Sequence, residues 1–446
     1  MFKRNIFPYL LNWKDKPNHK PLILRGARQV GKTSAVVQFA KEQFADLVYI
    51  NLEQADHFRW FNQPMTVTEF EQIVDIQMNK KLISGKTLLF IDEIQESADL
   101  LQLLRFFYEQ RPELHVIAAG SLLEAKMMRE GLSLPVGRVE YLYMYPLDFF
   151  EYLQAKGETQ LLDFLRSVDM GSTISAPLHH IALQQFYEYT MIGGMPEVVR
   201  AYMQSRSVSD VQTIYSSLLT TYAEDVYKYA GQAQARYLQY VIDQSPLFAG
   251  ATTTYEKFGQ QLYHSRDLRF AFETLNRAMI LSQISATQSI QLPLIAQQKR
   301  VKKLLFLDVG LVNYRSGIQA QYVHLKDLHE FYRGRIAEQV VGQQLIAQGM
   351  HEPLALYYWG KSKMESSAEL DFCFAYQGSI VGLEVKSGSA MKLRSLHRFA
   401  EETAEHQLVR VSREPLQMQD MRIAGKVYQL LSVPFYLTPR LVSFFV

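Results

Sequence analysis

The chain has 446 residues, 48% of them apolar and 21% charged, with a formal net charge of +2. That composition is globular and long enough for two to four domains, and its charge is too balanced for a chain-wide polyanion surface. A single cysteine, Cys373, excludes an intramolecular disulfide and any zinc site needing two thiolates, which fits a reducing, cytoplasmic setting.

The apolar stretch after Met1-Phe2-Lys3-Arg4 breaks at Asn12 and Lys14, and no apolar run is long enough to span a bilayer. Neither a signal peptide nor a membrane partner is expected.

Residues 1–150 alternate short apolar runs with helical patterns. Strands are expected at Pro21–Arg25, Leu47–Leu52, Thr87–Asp92, His115–Ala119 and Val139–Met144, with helices at Ser34–Phe44 and Ala98–Gln110. This is the signature of an α/β fold with a parallel sheet covered on both faces. Residues 151–245 read as helical, punctuated by the turn Gly193-Gly194-Met195-Pro196. In 246–320, helices at Tyr255–Tyr263 and Leu268–Ala278 precede strands at Ile280–Ser285 and Lys303–Leu307, the outline of a winged helix. Residues 321–446 open with a helix at Gly334–Gln348 and continue with strands at Ala355–Trp359, Glu369–Ala375 and Ser379–Val385. The apolar ending Leu441–Val446 reads as a last buried strand.

Gly26-Ala27-Arg28-Gln29-Val30-Gly31-Lys32-Thr33 matches G-x-x-x-x-G-K-[ST] at each fixed position, between an expected strand and a helix that begins with Ser34. Such a loop wraps backbone N–H groups around phosphates at a helix N-terminus. Lys32 then reaches the β- and γ-phosphates of ATP, and Thr33 ligates Mg²⁺. The strand Leu88–Ile91 delivers Asp92 to the same metal and Glu93 to the γ-phosphate as general base. Arg28 and Gln29 are expected to brace the loop, Ser121 to reach the γ-phosphate or lytic water, and Arg138 to act in its own chain or on a neighbouring subunit.

A second constellation lies near the C-terminus: Glu338 on a helix, Asp371 on a strand, and Glu384-Val385-Lys386 on the next. Glu384 and Lys386 share one strand face. With Asp371 they would form an oxygen-rich site for Mg²⁺ or Mn²⁺, with Lys386 orienting a water for phosphodiester hydrolysis. Lys392, Arg394, His397 and Arg398 suit either a phosphate backbone or solvent. Arg266, Arg269, Arg277, Lys299, Arg300, Lys302 and Lys303 make the strongest local basic patch, suited to DNA or to a protein partner. The loop pair His179-His180 lacks a metal-spaced companion. The Asp308–Gly310 turn reads as structural, and the tyrosines of the helical region as packing.

Taken together, the chain resembles the bacterial and archaeal AAA-type P-loop ATPases that carry a C-terminal domain of unknown function. The resemblance rests on the Gly26–Thr33 loop, Asp92-Glu93-Ile94-Gln95, Gly120-Ser121, Gly137-Arg138 and Tyr145-Pro146-Leu147 with Phe149-Phe150-Glu151. It continues through Gly193–Pro196, Phe306–Leu311, Gly334 with Glu338, Glu369–Phe372 and Glu384–Ser387. It implies an AAA-like core with a helical lid, a winged helix, and a C-terminal fold similar to PD-(D/E)xK nucleases. Asp371, Glu384 and Lys386 take that pattern's positions, Glu338 is the helix acid, and Leu370 replaces the proline. Two functions remain open: an ATPase acting on nucleic acid with a metal-dependent nuclease domain, or a nucleotide-dependent regulatory switch with an inactive nuclease-like fold. Homo-oligomer formation is open as well.

Overall fold

Strands β1 (Leu22–Arg25), β2 (Asp46–Asn51), β3 (Thr87–Asp92), β4 (His115–Gly120) and β5 (Glu140–Tyr143) form one sheet in the order β2-β3-β4-β1-β5. Every pairing in it is parallel. These assignments come from a computed structural model describing residues 2–121, 137–259, 262–319, 334–360, 369–388, 393–403 and 406–445. The chain divides into two compact units. The first is Met1–Pro146 with the short segments Arg277–Met279 and Met350–Glu352, and the second is the remainder. Among the described residues no helix is long and apolar enough to cross a membrane.

In the first unit, all six residues of β3 are buried. Two covered faces leave no position for alternation, so the strand reads as a continuous apolar run. The helix Ala98–Gln110 starts where Ser97 Oγ accepts from the Leu100 N–H at 3.3 Å. Leu100, Leu103, Leu104 and Phe107, spaced for one helix face, join Ile23, Val48, Leu89 and Val116 in the core. Each such side chain contributes about 1.5–3 kcal/mol on burial.

The second unit begins with a capping box: Asp148 accepts from the Glu151 N–H at 2.7 Å, and Glu151 accepts from the Asp148 N–H at 3.1 Å. Helices from Phe149–Lys156 to Gln232–Phe248 follow. The fully buried Asp308 ties the Gly193-Gly194 turn to the next segment, accepting from Gly194 N at 2.7 Å and Gly310 N at 2.9 Å. Asp308→Ala leaves these donors unpaired inside the protein and is expected to cost about 3 kcal/mol. Urea unfolding would register this as a lower midpoint, and an unchanged midpoint would contradict the structural role.

Nine strands form the second sheet, in the order β13-β14-β12-β11-β10-β9-β7-β8-β6. They are β6 (Thr252–Thr253), β7 (Leu281–Thr287), β8 (Lys302–Phe306), β9 (Tyr357–Gly360), β10 (Glu369–Tyr376), β11 (Ser379–Lys386), β12 (His406–Ser412), β13 (Gln417–Ile423) and β14 (Lys426–Pro434). The β7–β8 ribbon expected for a winged helix is present after the helices Tyr255–Gly259 and Ser265–Arg277. It is not separate from the C-terminal region, because β7 pairs in parallel with β9 from Ser285↔Tyr357 to Thr287↔Trp359. The helix Arg335–Ala347 is fixed against this ribbon by Gln339, which accepts from Phe306 N at 2.9 Å and donates to Phe306 O at 2.8 Å.

Two local expectations are corrected. The chain ends in a 3-10 helix, Phe435–Phe444, and not in a strand. Pro439 has no N–H to give a ladder, while Phe435, Tyr436, Leu441 and Phe444 still find burial. His179 and His180 lie in the helix Ala176–Ile192, opened by Pro177 in its first turn, and not in a loop; His179 Nδ1 is 2.9 Å from Tyr436 Oη. Lys392 lies outside the described residues. Arg398 is engaged with Glu401 and Glu402 on its own helix.

Candidate functional site

The loop after β1 is anchored from beneath. Ala27 and Val30 are buried, and the buried Arg4 donates to Val30 O at 2.6 Å and to Tyr145 O at 2.7 Å. A Cβ on Gly26 would meet Met144 O at 2.3 Å, so only glycine lets the chain pass β5 here. Gly31, with φ of 97°, sits at the N-cap of the helix Lys32–Gln43 in a conformation that glycine adopts without strain. Lys32 is only 6% exposed, and its Nζ donates to Gly26 O and Ala27 O, each at 2.9 Å. Burial pulls this ammonium down to about 8, against the attraction of Glu93 and Asp92.

Arg25 is in register with Gly120 and Asp92 with Ala119, so the carboxyl ends of β1, β4 and β3 lie side by side. Thr33 Oγ1 donates to Asp92 Oδ2 at 2.6 Å, bringing together the two expected metal ligands. Tyr49 Oη donates to the same oxygen at 3.2 Å, and burial, helped by Asp92, pushes the phenol up to about 12.

Glu93 has φ of 54°, a left-handed conformation uncommon for a non-glycine residue. Its carboxylate accepts from Gln95 Nε2 at 2.5 Å, and burial pushes the Glu93 carboxyl up, with Gln95 and Lys32 pulling it back. Gln95 is itself buried, and its Oε1 has no partner. Ser121 lies at the end of β4, where its Oγ accepts from Arg28 Nε at 3.4 Å; Arg28 also donates to Glu53 at 2.7 Å. Gln29 takes a left-handed turn with φ of 62°, and Ser34 is exposed on the helix.

Arg138 departs from expectation. It precedes Glu140, which pairs with Leu22 at the start of β1, whereas the loop follows Arg25 at its end. It therefore stands at the opposite end of the strands from the loop, paired with Glu109 at 3.1 Å and lying over the Tyr108 ring at 5.8 Å. That placement is away from the phosphate loop of its own chain and does not bear on the expected alternative, action on a neighbouring subunit.

In the second unit, the C-terminal acids do converge. Lys386 Nζ donates to Glu384 Oε1 at 2.6 Å, as their shared strand face requires. Asp371 Oδ2 accepts from Val385 N at 2.8 Å. Between Glu338 and Asp371, however, stands an unexpected cation, Lys303 of β8. Its Nζ is 2.6 Å from Glu338 Oε2, 3.0 Å from Asp371 O and 3.5 Å from Asp371 Oδ1. Burial pulls the Lys303 ammonium down, but Asp371 and Glu338 outweigh it and the net direction is up. Burial pushes Glu338 and Glu384 up; Lys303 offsets this at Glu338, and Asp371 adds to it at Glu384. Among the described residues no group of three or more His, Cys, Asp or Glu is placed to hold a metal ion.

Beside this cluster, Arg269, Lys299, Arg300 and Lys302 line a cleft of 340 Å³ in which Glu256 is the acidic residue. Arg300 also donates to Gly360 O.

Residues 18–153 match the family described as an AAA domain. Residues 183–322 and 333–436 match two families each described as a domain of unknown function. No curated protein matches the chain. Among solved structures, the RuvB Holliday junction branch migration motor of Thermotoga maritima is 16% identical, with a TM-score of 0.28 over 67% of this chain and 93% of its own. The Aeropyrum pernix ORC1 protein in complex with DNA is 12% identical, with a TM-score of 0.27 over 72% and 92%. PCH-2 of C. elegans is 13% identical, with a TM-score of 0.25 over 48% and 61%.

Proposed function

We propose that this chain is an ATP hydrolase whose nucleotide cycle governs contact with nucleic acid. The observation that carries the hydrolase reading is the cluster at the carboxyl ends of the first sheet. There Thr33 and Asp92 meet at 2.6 Å, with Glu93 beside them and Lys32 turned into the loop. A hydroxyl and a carboxylate are the hard oxygen donors that Mg²⁺ takes, so the residues fit the ion. When bound with ATP, Mg²⁺ neutralises charge developing on the β- and γ-phosphates.

The remaining work falls to side chains. Lys32 exchanges the carbonyls of Gly26 and Ala27 for phosphate oxygens. The backbone N–H groups of the loop and the start of the helix Lys32–Gln43 hold the β-phosphate. Glu93, held by Gln95, takes the proton from the attacking water. Ser121, held near the loop by Arg28, faces the γ-phosphate from the end of β4.

For the nucleic-acid half, the support is the cleft bearing Arg269, Lys299, Arg300 and Lys302 on a helix-and-ribbon outline that suits a winged helix. Replacing Arg269, Lys299 and Lys302 together by Ala is expected to weaken duplex DNA binding about tenfold or more at low salt. The slope of log affinity against log salt should fall by about one per lost phosphate contact. Unaltered DNA affinity and slope would remove the cleft from the account.

Phosphodiester cleavage at Glu338, Asp371 and Glu384 is not part of this proposal. The acids supply suitable oxygen donors, but Lys303 already fills the space between two of them, so they do not fit a divalent ion as folded. That observation favours the second reading for the C-terminal region, a nuclease-like fold serving regulation or partner binding in place of cleavage.

A further inference from the structure

Three carboxylates from three elements meet inside the second unit: Glu338 from the helix Arg335–Ala347, Asp371 from β10 and Glu384 from β11. Two ammonium groups answer them. Lys386 comes from the same strand as Glu384, whereas Lys303 comes from the ribbon strand β8. We infer that Lys303 is the resident cation of this cluster, filling the position in which a divalent ion would bridge Glu338 and Asp371. Replacing its charge would turn the cluster into a divalent-cation site.

Lys303 is 2% exposed, so its charge has no water to solvate it and must be balanced by protein oxygens. Those oxygens are Glu338 Oε2, Asp371 Oδ1 and the Asp371 carbonyl. The rings of Phe372 and Tyr358 wall the ammonium at 5.2 and 5.9 Å, which suits a cation. The register of β8 fixes its position, with Lys303 paired to Thr252 of β6 and to Ile284 of β7.

A second, independent observation points to room for a further positive charge. Glu384 is 5% exposed, and its Oε2 has no hydrogen-bond partner, since Lys386 engages only Oε1. Glu369, which Arg300 also faces electrostatically, adds a fourth carboxylate near Lys303, Glu338 and Asp371, so the ammonium groups of Lys303 and Lys386 stand against four acids. Replacing Lys303 by a neutral side chain leaves Glu338 and Asp371 without their cation beside that open oxygen, a hard donor set for Mn²⁺ or Mg²⁺. The inference stands apart from the ATP site, and its test uses no nucleotide and reads no turnover.

The probe is Mn²⁺, titrated into the full-length, nucleotide-free chain and followed by electron paramagnetic resonance, with thermal melting alongside. In the unmutated chain, Asp371→Asn should leave the number of bound Mn²⁺ unchanged. Lys303→Met should add one ion per chain, lost again when Asp371→Asn is combined with it, and Mn²⁺ should raise the melting temperature of Lys303→Met more than that of the unmutated chain. Lys303→Gln serves as the second variant, keeping a hydrogen-bonding group without the charge. If neither variant folds, the unmutated chain decides. An Mn²⁺ bound there and lost with Asp371→Asn or Glu338→Gln overturns the inference, and unchanged binding supports it. A folded Lys303→Met or Lys303→Gln chain that gains no ion also overturns it.

Discussion

Glu93→Gln is expected to lower ATP turnover by about 10²- to 10⁴-fold while leaving ATP affinity within about twofold. The substitution keeps the shape of the side chain and removes its ability to take a proton. The side chain is placed for that task. Asp92 ends β3, and the left-handed turn at Glu93 redirects the next side chain away from the strand's alternation. Burial raises its basicity, and Gln95 fixes one oxygen. Gln95→Ala should therefore lower turnover as well, by about tenfold, through loss of orientation with the base still present. Phosphate release and equilibrium binding of a fluorescent ATP analogue separate the two effects. Unchanged turnover in Glu93→Gln would remove Glu93 as the base.

Lys32→Ala is expected to weaken ATP binding by about 100-fold or more, since two charge-assisted phosphate contacts of about 1.5–3 kcal/mol each are lost. Before ATP arrives, this ammonium is buried against two loop carbonyls, so it is already desolvated and aimed inward. Its desolvation is therefore already met before binding, and what remains is the exchange of two carbonyl partners for phosphate oxygens. Lys32→Arg should not restore affinity, because a planar guanidinium does not fit a space built around a point charge. Calorimetric titration with MgATP measures both variants. Affinity retained in Lys32→Ala would contradict the assignment of the loop.

Much of the first unit was legible because its signals are local. The strand Thr87–Asp92 and the helix Ala98–Gln110 have the ends read from their apolar patterns, and the loop carries its own fixed spacing. For Arg138 the motif gave proximity in sequence but not the end of the strands it occupies. The parallel pairing of β5 with β1 puts it at the end away from the loop, and the expected alternative on a neighbouring subunit is not addressed by that pairing.

Other residues were hidden for different reasons. Gln95 stood in the segment that carried the family resemblance, but nothing in its spacing gave it a task. Tyr49 is an ordinary strand tyrosine until β2 pairs with β3 and sets its hydroxyl against Asp92. Arg4 braces the loop from more than twenty positions upstream. Lys303 was counted within a basic patch. The signal that could have separated it is the run Leu304-Leu305-Phe306-Leu307 immediately after it, which marks a buried strand and makes a solvated lysine there implausible. The merger of the ribbon with the C-terminal sheet has no sequence signature, since β7 and β9 are far apart in the chain and joined only by register.

The measurement that tests the coupled reading most directly is the steady-state ATPase rate of the unmutated chain with and without duplex and single-stranded DNA, at low and high salt. The account predicts measurable hydrolysis that DNA increases several-fold at low salt, an increase that fades as salt displaces phosphate contacts. A rate indifferent to DNA at low salt would contradict it.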